Sequence, residues 1–203
     1  MLIGNAPCSW GITYPTGNTY TWQQYLDQVA AAGYRGTELG PFGFLPKDAA
    51  LLKRWISSPH WQKWWGDPKE ALAEILGNLE SDAVEPMIAE LNGRPIAYVQ
   101  TYDPHMEDGH PYQDQPFGTI GIDISVGEAT DLNQGHGSAI LMALAGLLFE
   151  EGALRLIIDP DPSNAAAIRA YEKAGFAAFD TRTSEYGPAL MMALDNPDMT
   201  EAE

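Results

Sequence analysis

Hydrophobic and polar positions alternate most regularly over "TIGIDISV", residues 119–126, where Ile120, Ile122, Ile124 and Val126 share one face and Gly121, Asp123 and Ser125 the other. That period of two predicts a strand with one buried side. Upstream, "EPMIAEL" and "RPIAYVQTY" flank Asn92-Gly93, a dipeptide suited to the positive φ angles of a two-residue turn, and so predict a hairpin. Downstream the period changes. Ile140, Leu144, Leu147 and Leu148 repeat at helical spacing after "LNQGHGSA", predicting a helix that buries one side. "ALRLIID" reads as a strand ended by "PDP", and "SNAAAIRAYEKAG" as a helix with Ser163 at its N-cap and Gly175 at C′. "FAAFDTRT" and "PALMMAL" close the chain as a pair of strands.

Ahead of the hairpin, helices are predicted over "AALLKRWI", with Asp48 as N-cap, and over "PKEALAEILGNLE"; the tryptophans of the intervening "HWQKWWG" read as core or lid aromatics. From residue 48 the order is helix, helix, hairpin, strand, helix, strand, helix, strand, strand, which predicts an α/β fold, a mixed central sheet flanked by helices. Before it, the strand "LIGNAP", a helix over "TWQQYLDQVAAAG" and the strand "GTELG" form a βαβ-like unit that cannot cover its own sheet. The expected organisation is therefore an N-terminal segment 1–47, a main domain 48–195 and an acidic tail 196–203. "DPHMEDGHPYQDQPFG" is a polar, Pro- and Gly-rich loop whose length suits a functional role.

Composition narrows the chemistry. The 203 residues are 45% hydrophobic and carry 11 Lys and Arg against 28 Asp and Glu, a formal net charge of −17. Such a surface repels phosphate backbones and anionic lipid and points to cationic small molecules; an acidic proteome or a salty habitat would produce the same balance. Cys8 is the single cysteine, so neither a disulfide framework nor a thiolate zinc site is expected. His60, His105, His110 and His136 lack metal-ligand spacing, and no metal is expected. No leader peptide or membrane span is read, so the expected location is the cytoplasm.

The glycines of "NQGHGSA" open a helix, and the first N–H groups of a helix, aligned with its dipole, hold an anion without any basic side chain. The dinucleotide pattern G-x-G-x-x-G fails at Ile140, and the phosphate-loop pattern lacks its Gly-Lys-Ser. About one strand later comes "DPDPSNAAAIRAYEKAGF", in which Asn164, Ile168 and Tyr171 recur at i, i+4, i+7 on one helical face.

With these motifs the chain resembles the GNAT superfamily of acetyl-CoA-dependent N-acyltransferases, most of all the aminoglycoside 6′-N-acetyltransferases and siderophore-type enzymes. The resemblance runs from "RWISSPHWQKWWGDP" through "IAELNGRPIAYVQTYDPH", "GTIGID", "NQGHGSA" and "DPDPSNAAAIRAYEKAGF" to "YGPALMM", about residues 54–194. It implies acetyl-CoA as co-substrate, with Gln134, Gly135, His136, Gly137 and Ser138 as the pyrophosphate turn. The family often has Arg or Gln where Leu132 stands. Backbone groups of Ile124, Ser125 and Val126 would pair with the pantetheine arm, Asn164 would hold it, and Tyr171 would protonate the departing thiolate. Asp123 matches the acid that binds and deprotonates the amine, while Asp108 and Asp159 match other acids of the amine cleft. In the last hairpin, where aminoglycoside enzymes can place a further acid, this chain has Tyr186 as a substrate-side residue.

An amine attacks a thioester only as the free base, and the leaving sulfur gains from a proton, so these residue types suit the implied reaction. The implied partner is a small-molecule amine, not nucleic acid or membrane, for a monomer or homodimer. A siderophore-type amine or hydroxylamine acyltransferase, and a CoA-binding module without turnover, stand as alternatives. Residues 2–50, "IGNAPCSWGI" with "AAAGYRGTELGPFGFLPKD", resemble instead the opening of the inosose dehydratase and sugar isomerase TIM barrels. Too little of a barrel is present for that activity, and "GTELGPFGF" is expected to stand in for the first acetyltransferase strand.

Overall fold

The computed structural model describes residues 4–5, 24, 36–37, 46–79, 81–184 and 187–199. The chain divides into two compact units, Met1–Ser81 with Glu85–Ile88, and Asp82–Val84 with Ala89–Glu203.

In the first unit β1 (Gly4–Asn5) and β2 (Gly36–Thr37) pair in parallel, Gly4 opposite Gly36 and Asn5 opposite Thr37. This is the pairing expected of a strand–helix–strand unit. Of the helix predicted between them Gln24 alone is described, in helical conformation, and most of "GTELGPFGF" lies outside the described residues. Three helices follow, α1 (Pro46–Ile56), α2 (Pro59–Trp65) and α3 (Pro68–Asn78). Each begins on proline, which has no N–H to lose in the first turn and a φ already helical. Asp48 therefore lies inside α1 and is not its cap, because Pro46 starts the helix earlier. Helix α2, which the sequence reading left unassigned, follows an extended Ser58 and stops at Gly66, φ 75°. Its Trp61 is fully buried and tilts against Trp65 at 5.2 Å, while Trp64 is exposed beneath the Lys63 ammonium at 4.3 Å. Asp67 caps α3 by accepting from the N–H groups of Lys69 (2.8 Å) and Glu70 (3.4 Å).

A six-stranded sheet has the order β3-β4-β5-β6-β8-β7, and from β4 onward it belongs to the second unit. β3 (Val84–Leu91) and β4 (Arg94–Tyr102) meet at Asn92 (φ 53°) and Gly93 (φ 75°), the paired positive angles for which Asn-Gly is selected. β5 (Thr119–Val126) leads through a short 3₁₀ turn (Ala129–Asp131) to α4 (His136–Glu150) and β6 (Arg155–Ile158). α5 (Ala165–Lys173), β7 (Ala177–Ser184) and β8 (Gly187–Asp195) complete it. β8 inserts between β6 and β7, so the last hairpin closes one edge of the sheet.

Two sequence expectations change here. The side of α4 that is buried is Ser138, Leu141 and Ala145, whereas Leu147 is exposed and Ile140, Leu144 and Leu148 are half-buried. The helix is apolar almost all round, so its period marks the core face poorly. The N-cap of α5 is Asn164, whose Oδ1 accepts from the Ala167 N–H at 3.2 Å. Ser163 instead donates its N–H and hydroxyl to Asp161 Oδ1 at 2.7 and 2.6 Å, because Asp161 turns the chain first. Gly175 is at C′ with φ 103°, as expected.

The feature that positions the site is an incomplete ladder. β5 pairs with β4 from Tyr102↔Gly121 to Ala97↔Val126, but with β6 only from Thr119↔Arg155 to Gly121↔Ile157. β6 ends before Asp159-Pro160, and proline has no N–H to continue the pairing. Beyond that point Leu190 N–H donates to Pro160 O at 2.9 Å, so the chain leaves along β8 and parts from β5. Among the described residues no helix is long and apolar enough to cross a membrane.

Candidate active site

The turn before α4 is shaped by backbone. Asn133 (φ 60°) and Gly135 (φ 83°) both take the left-handed conformation, and Gly135 is the N-cap, so the chain reverses into the helix within a few residues. Ser138 turns its hydroxyl back to Gly135 O at 3.0 Å, and Gln134 Nε2 donates to Thr130 O at 3.2 Å. Both side chains thus serve the turn itself, leaving the first N–H groups of α4 as its outward-facing donors. The turn is braced from β4 by Arg94, which forks onto Asp131 at 2.7 and 3.1 Å and holds that carboxyl below its usual range. Leu132 is half-buried. A cation nevertheless stands at the turn: the Lys173 ammonium, from the last turn of α5, lies 3.9 Å from where a Cβ on residue 135 would be.

From this turn the open stretch of β5 leads to a polar cleft. Tyr98, Gln100 and Tyr102 share one face of β4 and stand opposite Ser125, Asp123 and Gly121 of β5. Tyr98 OH donates to Gln100 Oε1 at 2.7 Å and Gln100 Nε2 donates to Asp123 Oδ2 at 2.8 Å. The Asp123 carboxylate is thereby aimed by a buried amide that is itself held by a buried phenol. Gly121 has no side chain because the Tyr102 ring occupies that space.

Asp159 follows directly on β6, and the hydroxyl of Tyr112, from the loop between β4 and β5, donates to its Oδ2. Burial raises the Asp159 pKa, and the bond from Tyr112 offsets only part of the rise. Tyr102, Tyr112 and Tyr171 are all raised, first by burial and then by the negative charges of Asp123 and Asp159. Both carboxylates therefore bear on one set of phenols. Tyr171, buried on α5, is thereby kept protonated, so its hydroxyl carries a proton it could donate.

Asp123 and Asp159 each lie two residues past the paired Gly121↔Ile157 and both act electrostatically on Tyr171, and Asn164 stands at the start of the helix that carries Tyr171. Asn164 uses its oxygen on the cap, so only its amide N–H groups are donors for a ligand. Asp108 stands exposed in the long loop, and the carboxylates that act on Tyr102, Tyr112 and Tyr171 are Asp123 and Asp159. Tyr186 lies outside the described residues. Sequence reasoning missed Tyr98, Gln100, Tyr112 and Lys173. Tyr98 and Gln100 had a signal, the period-two polar face of "YVQTY"; Tyr112 and Lys173 depend on tertiary contacts and had none.

Chemically, the edge of β5 beyond Gly121 suits an extended, amide-bearing arm, and the α4 turn with Lys173 suits anionic groups at its far end. The two carboxylates suit a cationic amine. Comparison with known proteins agrees with this geometry. The chain is 38% identical over 154 residues to aminoglycoside N(6′)-acetyltransferase type 1 of Klebsiella pneumoniae, covering 71% of this chain and 77% of the relative. It is 25% identical to the lysine N-acyltransferase MbtK of Mycobacterium sp. (strain MCS), over 66% of this chain and 59% of that protein. The crystal structure of aminoglycoside acetyltransferase AAC(6′)-Ib in complex with coenzyme A and kanamycin superposes with a TM-score of 0.68 at 34% identity, covering 77% of this chain and 94% of that one. The resemblance of residues 2–50 to a TIM-barrel opening rests on the sequence alone. A family model described as an acetyltransferase (GNAT) domain matches residues 45–183, and the chain belongs to that family.

Proposed function

We propose that this protein transfers the acetyl group of acetyl-CoA to a primary amine of a polycationic small molecule of the aminoglycoside type. The observation that carries this reading is that Asp123, held by Gln100 at 2.8 Å, and Asp159, bonded by Tyr112, each lie two residues past the last β5–β6 pair, Gly121↔Ile157, where the strands part. Two carboxylates at one spot hold a cation and can take its proton, and a donor beside them can meet a leaving anion. The Klebsiella relative and the kanamycin-bound structure support the acceptor class.

The residues present fit the co-substrate. The backbone of Ile124, Ser125 and Val126 would pair with the pantetheine arm beside the amide N–H groups of Asn164. The α4 turn, Gln134 to Ser138, would hold the pyrophosphate next to Lys173. Acetyl-CoA supplies an activated acyl thioester. Asp123, fixed by Gln100, accepts a proton from the acceptor ammonium so that its nitrogen carries a lone pair. Asp159 keeps a second positive group of the acceptor in place. Tyr171 donates its hydroxyl hydrogen bond where negative charge gathers on sulfur as the new C–N bond forms and the C–S bond breaks. A phenol with a raised pKa is a weak acid, so its contribution is this bond more than complete proton transfer.

An acetyl-CoA thiol-release screen over aminoglycosides, polyamines and hydroxylated lysines tests the proposal. Release with kanamycin-like acceptors is expected. Release confined to hydroxylated lysines would move the chain to the siderophore-type reaction, and no release with any amine would end the enzymatic reading.

A further inference from the structure

The loop from Asp103 to Gly118 has the composition of a segment that wanders, yet it delivers a core residue. Tyr112 is 4% exposed and packs with Ile157 and Met191. Its N–H donates to His110 Nδ1 at 3.2 Å, and the His110 ring meets both Tyr112 and Tyr102 at 5.2 Å. On the other side stands Arg182 of β7. Its guanidinium forks onto Asp114 at 2.7 and 2.8 Å, donates to Pro111 O at 3.1 Å and to Asp180 at 2.9 Å, and lies 5.7 Å from the Tyr112 ring centre. The loop is thus tied to the sheet at residues 111 and 114, on either side of Tyr112.

We propose that Tyr112 is a specificity-determining residue of the amine cleft, presenting Asp159 as a carboxylate to a second ammonium of the acceptor, and that Arg182 is the positioning residue that straps it there. The inference rests on the amine-acetylation reading above. A buried carboxylate without a donor takes up a proton and loses its attraction for a cation. A Lys or Arg donor would keep it ionised but cancel its charge. A phenol has one proton to give and no charge, so it stabilises the carboxylate and leaves the negative charge available. Tyr112 from the loop donates to Asp159, whose charge, like that of Asp123 from β5, acts on Tyr102 of β4 and Tyr171 of α5. The His110 ring packs on the rings of Tyr102 and Tyr112 and accepts the Tyr112 N–H, and its pKa is lowered by burial, so it is neutral at pH 7. Arg182 reaches the ring of Tyr112, and its partner Asp114 is held below the usual carboxylate range, so the strap persists wherever the enzyme would be assayed. The carboxylate that Tyr112 bonds directly is that of Asp159, whose pKa burial raises. The acceptor this arrangement favours has at least two amines, one that reacts and one that stays charged.

The test uses the full chain in a thiol-release assay from pH 6 to 9, with kanamycin as the polycation and a sugar bearing a single primary amine as its control. For Tyr112→Phe the kanamycin KM rises most at the acid end of the range, by up to about tenfold for each unit that the Asp159 pKa stands above the assay pH, while the acetyl-CoA KM stays within about twofold. The ratio of variant to wild-type KM falls as the pH rises, because Asp159 then ionises without help. The monoamine KM is unchanged. Arg182→Ala moves the kanamycin KM in the same direction by about threefold, the scale of an exposed ion pair. An unchanged or lowered kanamycin KM in Tyr112→Phe, or an equal rise for the monoamine, overturns the inference while leaving the acetyltransferase reading intact. A wild-type chain that releases no thiol with any amine overturns that reading and this inference with it.

Discussion

On the proposed function, the turn before α4 and the polar side chains beyond Gly121 solve opposite problems by opposite means. The turn would meet an anion in a chain of net charge −17 with backbone: two left-handed residues, a helix start, and side chains folded back on the turn itself. The cleft would meet a cation with side chains drawn from β4, the long loop, β5, the end of β6 and α5. One region is contiguous and local, while the other exists only when the sheet is assembled. Damage to the turn should therefore appear in the co-substrate constants and add up simply, whereas damage to the cleft should appear in turnover and be non-additive, because its members set one another's protonation.

The largest effect expected from this contrast is at Asp123. Asp123→Asn keeps the size and the neighbour Gln100 but removes the proton acceptor, so kcat with an aminoglycoside should fall about 100-fold or more, the scale of lost general-base help. The acetyl-CoA KM should stay near wild type. If kcat falls by less than about threefold, the base lies elsewhere. Tyr171→Phe comes next. It removes a hydrogen bond realised mainly as sulfur gains charge, so kcat should drop about 10-fold to 100-fold with little change in either KM. An unchanged kcat would take Tyr171 out of the reaction. The double variant should cost less than the product of the two losses, since each single change already disables the same step.

The same contrast explains what could be read in advance. The hairpin was legible because Asn92-Gly93 answers to two φ angles, β5 because one face alternates, and the C-terminus of α5 because Gly175 must turn left-handed. Each is a local constraint. The caps at Asp48 and Ser163 were misplaced because stronger neighbours, Pro46 and Asp161 with Asn164, settle the geometry first. Leu147 was given to the core because α4 is apolar on nearly every side, and only the sheet beneath decides which face is covered. Asp123 and Tyr171 could be singled out from family motifs, but Gln100 becomes visible only through the β4–β5 register that sets it opposite Asp123. Tyr112 and Arg182 are 70 residues apart in number, and no periodicity links them.

On the turn, Gly135→Ala should act through backbone. A Cβ there meets nothing closer than the Lys173 ammonium at 3.9 Å, so the penalty is conformational, about 1–2 kcal/mol for a left-handed non-glycine residue. That corresponds to a melting temperature lowered by a few degrees, on the order of 2–8 °C, for a domain of this size. The acetyl-CoA KM should rise with kcat nearly constant, since the N–H groups shift while the cleft does not. A fall in kcat without a change in KM would join the turn to the cleft and break the comparison.

The smallest effect sharpens it most. Leu132 stands where the resembled family often has Arg or Gln, and Lys173 approaches the turn from α5, beyond the reach of any local pattern. An exposed ammonium near a bound phosphate contributes little in high dielectric, so Lys173→Ala should raise the acetyl-CoA KM only about twofold to fivefold. The signature is its salt dependence. Raising ionic strength screens the wild-type attraction, with a Debye length of about 10 Å at 0.1 M and about 3 Å at 1 M, so the gap between the two proteins should close. Gly135→Ala should keep its deficit at every salt concentration, because strain in φ is not screened. A Lys173→Ala deficit that persists at high salt would mean that Lys173 packs against the turn instead of charging it. The turn would then bind its anion by backbone alone.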